Sequence, residues 1–180
     1  MGDYDGASEA FSKAGDYTDA SGRIGEPYYV QAEALLLMGD YDGASEAFAK
    51  AGDYNDAASR VYEPFYEQGK ALMTVGNYEA AITAFTNANG FSDSATQIQE
   101  TKYQQAASLT AAGKYTEAYA LYATIAGYKD VDNLVQKDEN LSAIAAVAVA
   151  RRTEVTTIGN FITFGHYEQD NNTSNGKEAI

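Results

Sequence analysis

The chain has 180 residues, a formal charge of −14 and a sequence pI near 4.3. That length suits one domain or one short array with enough apolar residues for a continuous core. The acidic balance excludes a phosphate-backbone binder, whose affinity rests on Lys and Arg, and an anionic membrane surface. The absence of cysteine leaves no disulfides or thiolate metal sites, and a lone histidine, His166, cannot build a multi-histidine centre. No cofactor is therefore expected.

The chain opens on Met1-Gly2-Asp3-Tyr4-Asp5-Gly6-Ala7-Ser8-Glu9-Ala10-Phe11, and the same letters return from Met38 to Phe48. Weaker forms follow as Gly76-Asn77-Tyr78-Glu79-Ala80-Ala81 and Gly113-Lys114-Tyr115-Thr116-Glu117-Ala118. Gly2, Gly39, Gly76 and Gly113 stand 37 residues apart, a period that marks a stacked repeat array. The units fall near residues 1–26, 27–63, 64–100 and 101–137, with a terminal helix at 138–155. No signal peptide is visible, and the chain reads as a piece of a longer protein.

The first unit opens inside its repeat: residues 28–38 supply a helix before the second copy of the phrase, and nothing stands before Gly2 to match it. Ala7, Ala10, Phe11 and Ala14 fall at i, i+3, i+4 and i+7, one face of a helix. Ala44, Ala47, Phe48 and Ala51 repeat the face in the second unit, and Ala81, Ala84, Phe85 and Ala88 in the third. Ala118, Leu121, Tyr122 and Ile125 do so in the fourth. The opposite face, with Ser8, Glu9, Ser12 and Lys13 in the first copy, is expected to be solvated.

Each of these helices is expected to stop near a Gly-aromatic phrase: Gly15-Asp16-Tyr17, Gly52-Asp53-Tyr54, Gly90-Phe91 and Gly127-Tyr128. Asp19, Asp56, Asp93 and Asp130 follow where an N-cap or first-turn acid would start the next helix. That helix runs unbroken over 92–112 in the fourth unit, whereas Pro27 and Pro64 interrupt its counterparts. Two readings stand: a short helical turn followed by a fresh start at the proline, or a continuous helix kinked there.

The fifth occurrence breaks the pattern, with Ala150 where glycine is due, and the helix is expected to run to about residue 155. The apolar run Leu141–Ala150 is too short to span a bilayer and reads as a terminal helix packed on the last repeat. Beyond it, residues 155–159 and 161–165 are β-branched and aromatic, as strands are. Asp170–Gly176 is turn-rich, and Ala179-Ile180 is placed to begin a returning strand. Residues 156–180 thus predict a short C-terminal β-hairpin, the truncated start of a second, β-containing domain.

Aligned on Gly39, the unit Gly-Asp-Tyr-x-x-Ala-x-x-x-Phe-x-x-Ala resembles the tetratricopeptide repeat over roughly residues 2–150. Ala32 falls where that family has a small residue in its first helix, and Leu35 where it has a large one. Ala44, Phe48 and Ala51 fall on its second-helix signature. The resemblance implies an all-α, right-handed solenoid of antiparallel helix pairs and a non-catalytic scaffold that binds a protein or peptide. Two departures count against carrying over the family's superhelical pitch: the 37-residue period, and Gln31, Gln68 and Gln105 at a position usually held by leucine. A Gly-Tyr-x-Asp phrase also replaces the closing proline.

Residues 158–180 resemble the opening of an uncharacterised bacterial domain that often follows such repeats. The resemblance rests on Phe164-Gly165-x-Tyr167-Glu168-Gln169-Asp170-Asn171 and Asn175-Gly176-Lys177-Glu178. It implies a bacterial envelope or surface protein and transfers no function.

Fifteen tyrosines invite a ligand platform. Yet Tyr4, Tyr41, Tyr78 and Tyr115 recur at the repeat period, as do Tyr17, Tyr54, Phe91 and Tyr128, so packing is their expected role. Tyr29, Tyr66 and Tyr103 fall at a position that the tetratricopeptide alignment turns toward the concave groove. With Glu33, Lys70, Leu36 and Met73 they form the candidate peptide groove, aromatic anchors with charges that set register.

Glu26, Glu63 and Glu100 form an acidic ladder, read either as a preference for basic partners or as a solvated helix face. Asp170–Glu178 departs from a calcium loop, because its glycine is at the seventh place. Asn171-Asn172-Thr173 fits a glycosylation sequon, and His166 has no arrangement that reads as a triad. No catalytic or metal-binding residue is expected. The rival reading is a mechanical spacer that presents the C-terminal domain; an accessory part of an enzyme is the third. Self-association through the incomplete first repeat is a further expectation.

Overall fold

The computed structural model describes residues 2–152, and every regular element among them is helical. In order these are α1 (Tyr4–Ala14), a 3-10 turn (Ala20–Arg23), α2 (Glu26–Met38), α3 (Tyr41–Ala51) and the single turn α4 (Ala57–Arg60). Then come α5 (Glu63–Thr74), α6 (Tyr78–Asn87), α7 (Ser94–Ala111), α8 (Tyr115–Ala123) and α9 (Val131–Lys137). Residues 139–152 form α10. The expected hairpin at 156–180, its Asp170–Gly176 loop, the sequon, His166 and the last residues of the terminal helix lie outside the described residues.

Two compact units divide the chain, Met1–Gln105 and a second that begins at Ala106, so the boundary falls inside α7. In the first, the 37-residue period is a helix pair. Gly39 closes α2 in the left-handed region at φ 78°, where an L side chain is strained. Its N–H reaches the carbonyls of Leu35 and Leu36. Asp40 then opens α3 by accepting from the Gly43 N–H at 3.1 Å. A two-residue connection between helices in extensive contact makes an antiparallel hairpin. Asp3 repeats the cap on Gly6 at 2.9 Å, and Asn77 on Ala80 at 3.4 Å.

The proline alternative resolves to the fresh start. The 3-10 turn and α4 each stop short of a new helix that carries Pro27 or Pro64 in its first turn. There the missing N–H costs no intrahelical bond.

The core of the first unit follows the repeat. Ala32, Leu35, Ala44, Ala47, Phe48, Ala51 and Ala57 are buried together, with Tyr28, Tyr29, Leu36 and Val61 packed around them. Ala81, Ala84, Phe85 and Ala88 repeat the α3 set on α6 and are all buried. Small residues mark the close approach of α5 and α6: a Cβ on Gly69 would stand 2.6 Å from the Phe85 ring. In the second unit Ala118, Tyr122 and Ile125 are buried on and after α8, as the periodic face requires, along with Val131 and Leu141.

One expectation for the helix faces fails. Ser8 and Ser45, placed on the solvated face, are buried, because their hydroxyls donate to the Ile24 and Val61 carbonyls at 2.8 and 2.7 Å. A buried hydroxyl needs such a partner, and here it closes an orphan carbonyl just before the next helix. All four of these helices stop near their Gly-aromatic phrases as expected, with glycine itself the cap in two. Gly15 and Gly52 cap α1 and α3, but α6 stops at Ala88 and α8 at Thr124. Gly90 and Gly127 take positive φ in the turns beyond.

Candidate functional site

Tyr29 and Tyr66 of the expected groove are each held within their own repeat. Tyr29 on α2 sets its ring edge-on to Phe48 and Tyr54, with centroids 5.6 and 5.7 Å apart. Its hydroxyl donates to Asp56 Oδ1 at 2.7 Å. One period later, Tyr66 on α5 meets Phe85 and Phe91 at 5.7 and 5.8 Å and donates to Asp93 Oδ1 at 2.6 Å.

These bonds explain what the periodic aspartates do. Asp19, Asp56 and Asp130 do occupy N-cap positions, but none makes the expected side-chain cap bond. For Asp56 and Asp93 the carboxylate is engaged by a tyrosine 27 residues upstream instead. The hydroxyl of each tyrosine is held protonated beyond its ordinary range, first by that carboxylate and then by burial. The Asp93 carboxyl is correspondingly lowered by the Tyr66 hydroxyl and by Gln97, whose amide donates at 3.0 Å.

Arg60 ties the second unit of sequence together. Its guanidinium lies 4.5 Å from the Phe48 ring centroid and donates Nε to Glu63 at 2.6 Å. Nη1 donates to the Tyr29 hydroxyl at 2.6 Å and to Glu33 at 3.1 Å. Glu63, the strongest influence, raises the guanidinium pKa, so the charge is permanent. Arg23 repeats half of this arrangement over Phe11 at 4.7 Å and on Glu26 at 2.6 Å. Glu26 and Glu63 of the acidic ladder are therefore engaged by arginines of their own turn, and Glu100 accepts from Gln104 at 3.1 Å.

The remaining groove candidates open to solvent at matching positions of two repeats. Glu33, Leu36, Leu37 and Arg60 line a shallow depression of about 290 Å³. One period along, Lys70, Met73 and Thr74 line a second of about 370 Å³ with Gln104. Lys70 pairs with Glu67 at 2.8 Å, and Met73 sulfur accepts from the buried Thr101 hydroxyl at 3.4 Å. Leu37 is 90% exposed at the rim of the first depression.

The structure thus brings Glu33 with Leu36, and Lys70 with Met73, while Tyr29 and Tyr66 sit beside those depressions as packing. Tyr103 is half-buried on α7 and lines neither. Sequence reasoning missed Arg60, Leu37, Thr74 and Gln104. The signal for Arg60 was present, since Arg23 and Arg60 stand one period apart, each three residues before a ladder glutamate.

Among the described residues, no cluster of three or more His, Cys, Asp or Glu side chains could hold a metal ion. No helix among them is long and apolar enough to cross a membrane. Comparison with protein-family models, with curated proteins and with solved structures gave no match.

Proposed function

We propose that this chain is a tetratricopeptide-like, right-handed solenoid acting as a non-catalytic scaffold that binds an extended peptide or protein segment across its first helices. The observation that carries this reading is the recurrence, 37 residues apart, of an open depression with an apolar floor and a charged rim, where Arg60 joins Glu33 at the first. Glu33 with Leu36 forms the first, and Lys70 with Met73 the second. A ligand that follows the array would place alternate side chains in equivalent pockets, and the change from Glu33 to Lys70 would give it a direction. The buried small residues Ala32, Gly69 and Ala106, and Ala44, Ala81 and Ala118, support the family assignment. Localisation at a bacterial envelope or surface belongs to the same proposal and rests on the resemblance of residues 158–180.

The test is selection of peptides from a displayed library on the intact chain, followed by titration of the selected peptide. Leu37→Ser with Lys70→Glu should weaken it at least about tenfold, roughly 1.4 kcal/mol, with an unchanged helical spectrum. Failure to select any peptide, or equal affinity for the variant, sinks the groove. A second reading, a spacer that holds a neighbouring domain at a distance, is favoured by one observation. The ring and hydroxyl of Tyr29 and Tyr66 are engaged inside their own repeats and stiffen each unit instead of facing a ligand.

A further inference from the structure

The turn that follows α6 differs from its counterparts after α3 and α8. Where the second repeat has Gly52 and the fourth Ala126, the third has Asn89, with Gly90 next in the chain. Both stand at positive φ, 49° and 82°. Across them the Phe91 N–H donates to the Ala88 carbonyl at 2.8 Å. Two central residues at positive φ inside such a bond make a type I′ turn, for which Asn-Gly is a favoured pair.

The pair is also chemically distinct. The amide carbon of an asparagine is within reach of the backbone nitrogen of the next residue, because attack there closes a five-membered ring. A side chain on the next residue hinders that approach, and so does a hydrogen bond that holds its N–H or the asparagine amide. None of these protections is present. Gly90 has no side chain, and a Cβ built on it would meet nothing within 4 Å, so the space around it is open. Among the described residues neither the Gly90 N–H nor the Asn89 side chain makes a hydrogen bond. Both residues are exposed.

The other described asparagines lack this combination. Asn55, Asn77, Asn87, Asn133 and Asn140 each precede a residue that carries a side chain. The Asn77 side chain is also engaged, accepting from the Ala80 N–H at 3.4 Å.

We propose that Asn89-Gly90 is a site of succinimide formation in the folded protein, and that its isoaspartyl product loosens the start of α7. The Gly90 nitrogen loses its proton to hydroxide and bonds to Asn89 Cγ. The Cγ–Nδ2 bond breaks and ammonia leaves. Water then opens the ring at either carbonyl. One opening leaves aspartate; the other leaves isoaspartate, whose main chain runs through Cγ and is one carbon longer. No oxidation or reduction occurs: one water is taken up and one ammonia released.

The place of the turn gives that product a consequence. An added main-chain carbon between Ala88 and Phe91 misaligns the bond that closes the turn. The Phe91 ring packs on Tyr66, with centroids 5.8 Å apart. The Phe91 carbonyl accepts at 3.1 Å from the N–H of Ser94, the first residue of α7, which is 2% exposed. Between them stands Asp93, which holds the Tyr66 hydroxyl. The inference is independent of the peptide groove, because none of Glu33, Leu36, Lys70 or Met73 takes part.

Incubation of the full chain under native conditions at mildly alkaline pH, with peptide mapping over time, tests it. Trypsin releases residues 71–102 as one peptide, and fragmentation locates the change within it. Asn175-Gly176, outside the described residues, falls in a different peptide. Asn89 should be the first described asparagine lost, isoaspartate should accumulate there, and the rate should rise with pH. Asn89→Gly, which places the second repeat's residue at a left-handed position, should keep the turn and leave this peptide unchanged over the same time. Amide exchange followed by NMR should show Phe91 and Ser94 losing protection in the isoaspartyl form. Asn89→Asp, with the new charge on an ordinary main chain, should keep that protection. An Asn89 that converts only in urea overturns the site, as does loss of Asn55 or Asn77 before it. Full protection of Phe91 and Ser94 in the isoaspartyl form overturns the loosening of α7.

Discussion

Helices α1 and α3 have the same sequence apart from Ser12 against Ala49, and they differ in almost everything that depends on neighbours. Both begin with an aspartate cap on the glycine three residues on, at 2.9 and 3.1 Å. Both end at a glycine with positive φ, and both bury a serine hydroxyl against the carbonyl 16 residues downstream. Yet α3 buries five residues and α1 one. Local structure here follows from the letters, whereas the hydrophobic term follows from whether a first helix is present to cover them. The aromatic neighbours tell the same story. Tyr54 packs on Tyr29, while its counterpart Tyr17 is 77% exposed.

The largest test of that contrast is the phenylalanine the two helices share. Phe48 is fully buried, and Phe48→Ala should cost about 3–5 kcal/mol through lost transfer energy and a residual cavity. Phe11→Ala removes a half-buried ring covered on one side by Arg23, and should cost about 1 kcal/mol or less. Urea unfolding of both variants measures the gap; equal losses would mean that α1 is covered in solution.

Next in size is overpacking. Ala44, at 0% exposure, lies at the crossing of α2 and α3, so Ala44→Leu should cost about 1–3 kcal/mol. Ala7→Leu faces partly open space and should fall within about 0.5 kcal/mol of the parent. A thermal melt in which the two shifts match would remove the distinction between the helices.

The caps come third. Asp40→Ala should lower global stability by about 0.5–2 kcal/mol, the usual cost of a lost N-cap. Asp3→Ala loses the same bond in a helix that opens locally below the global unfolding energy, so the urea midpoint should stay in place. The change should appear as faster amide exchange in the first turn of α1. Because α1 and α3 share their letters, intrinsic exchange rates nearly cancel, and the comparison reads protection directly.

Much of this is legible in the sequence, and particular residues say why. The period, the Ala-Ala-Phe-Ala face and the restart at Pro27 and Pro64 are written in local chemistry, where each residue's role is set by its own turn. Ser8 and Ser45 were not legible as buried, because a serine beside an acid reads as surface. Its third-unit counterpart, Ile82, is the clue that the position turns inward. Of the candidate groove, Glu33, Leu36, Lys70 and Met73 line open depressions, as their exposed helix positions allow. The tyrosines did not stand alone, because their partners lie 27 residues away, beyond the reach of any local pattern.

The smallest expected effect belongs to the Tyr29 hydroxyl. Tyr29→Phe keeps the ring on Phe48 and removes the bonds to Asp56 and Arg60. The net value of such a bond at a partly exposed site is about 0.5–1.5 kcal/mol. The sign of the pH dependence follows from the raised hydroxyl pKa, caused first by Asp56 and then by burial. A group whose pKa is higher folded than unfolded holds its proton more tightly in the native state. Its contribution is therefore complete below the ordinary value of 10.0 and falls as pH rises past it. Parent and Tyr29→Phe should differ most in neutral urea titrations and converge above that pH. The difference between the two proteins cancels the other fourteen tyrosines. A gap that stays constant through the alkaline range would show that the hydroxyl does not hold the second repeat together.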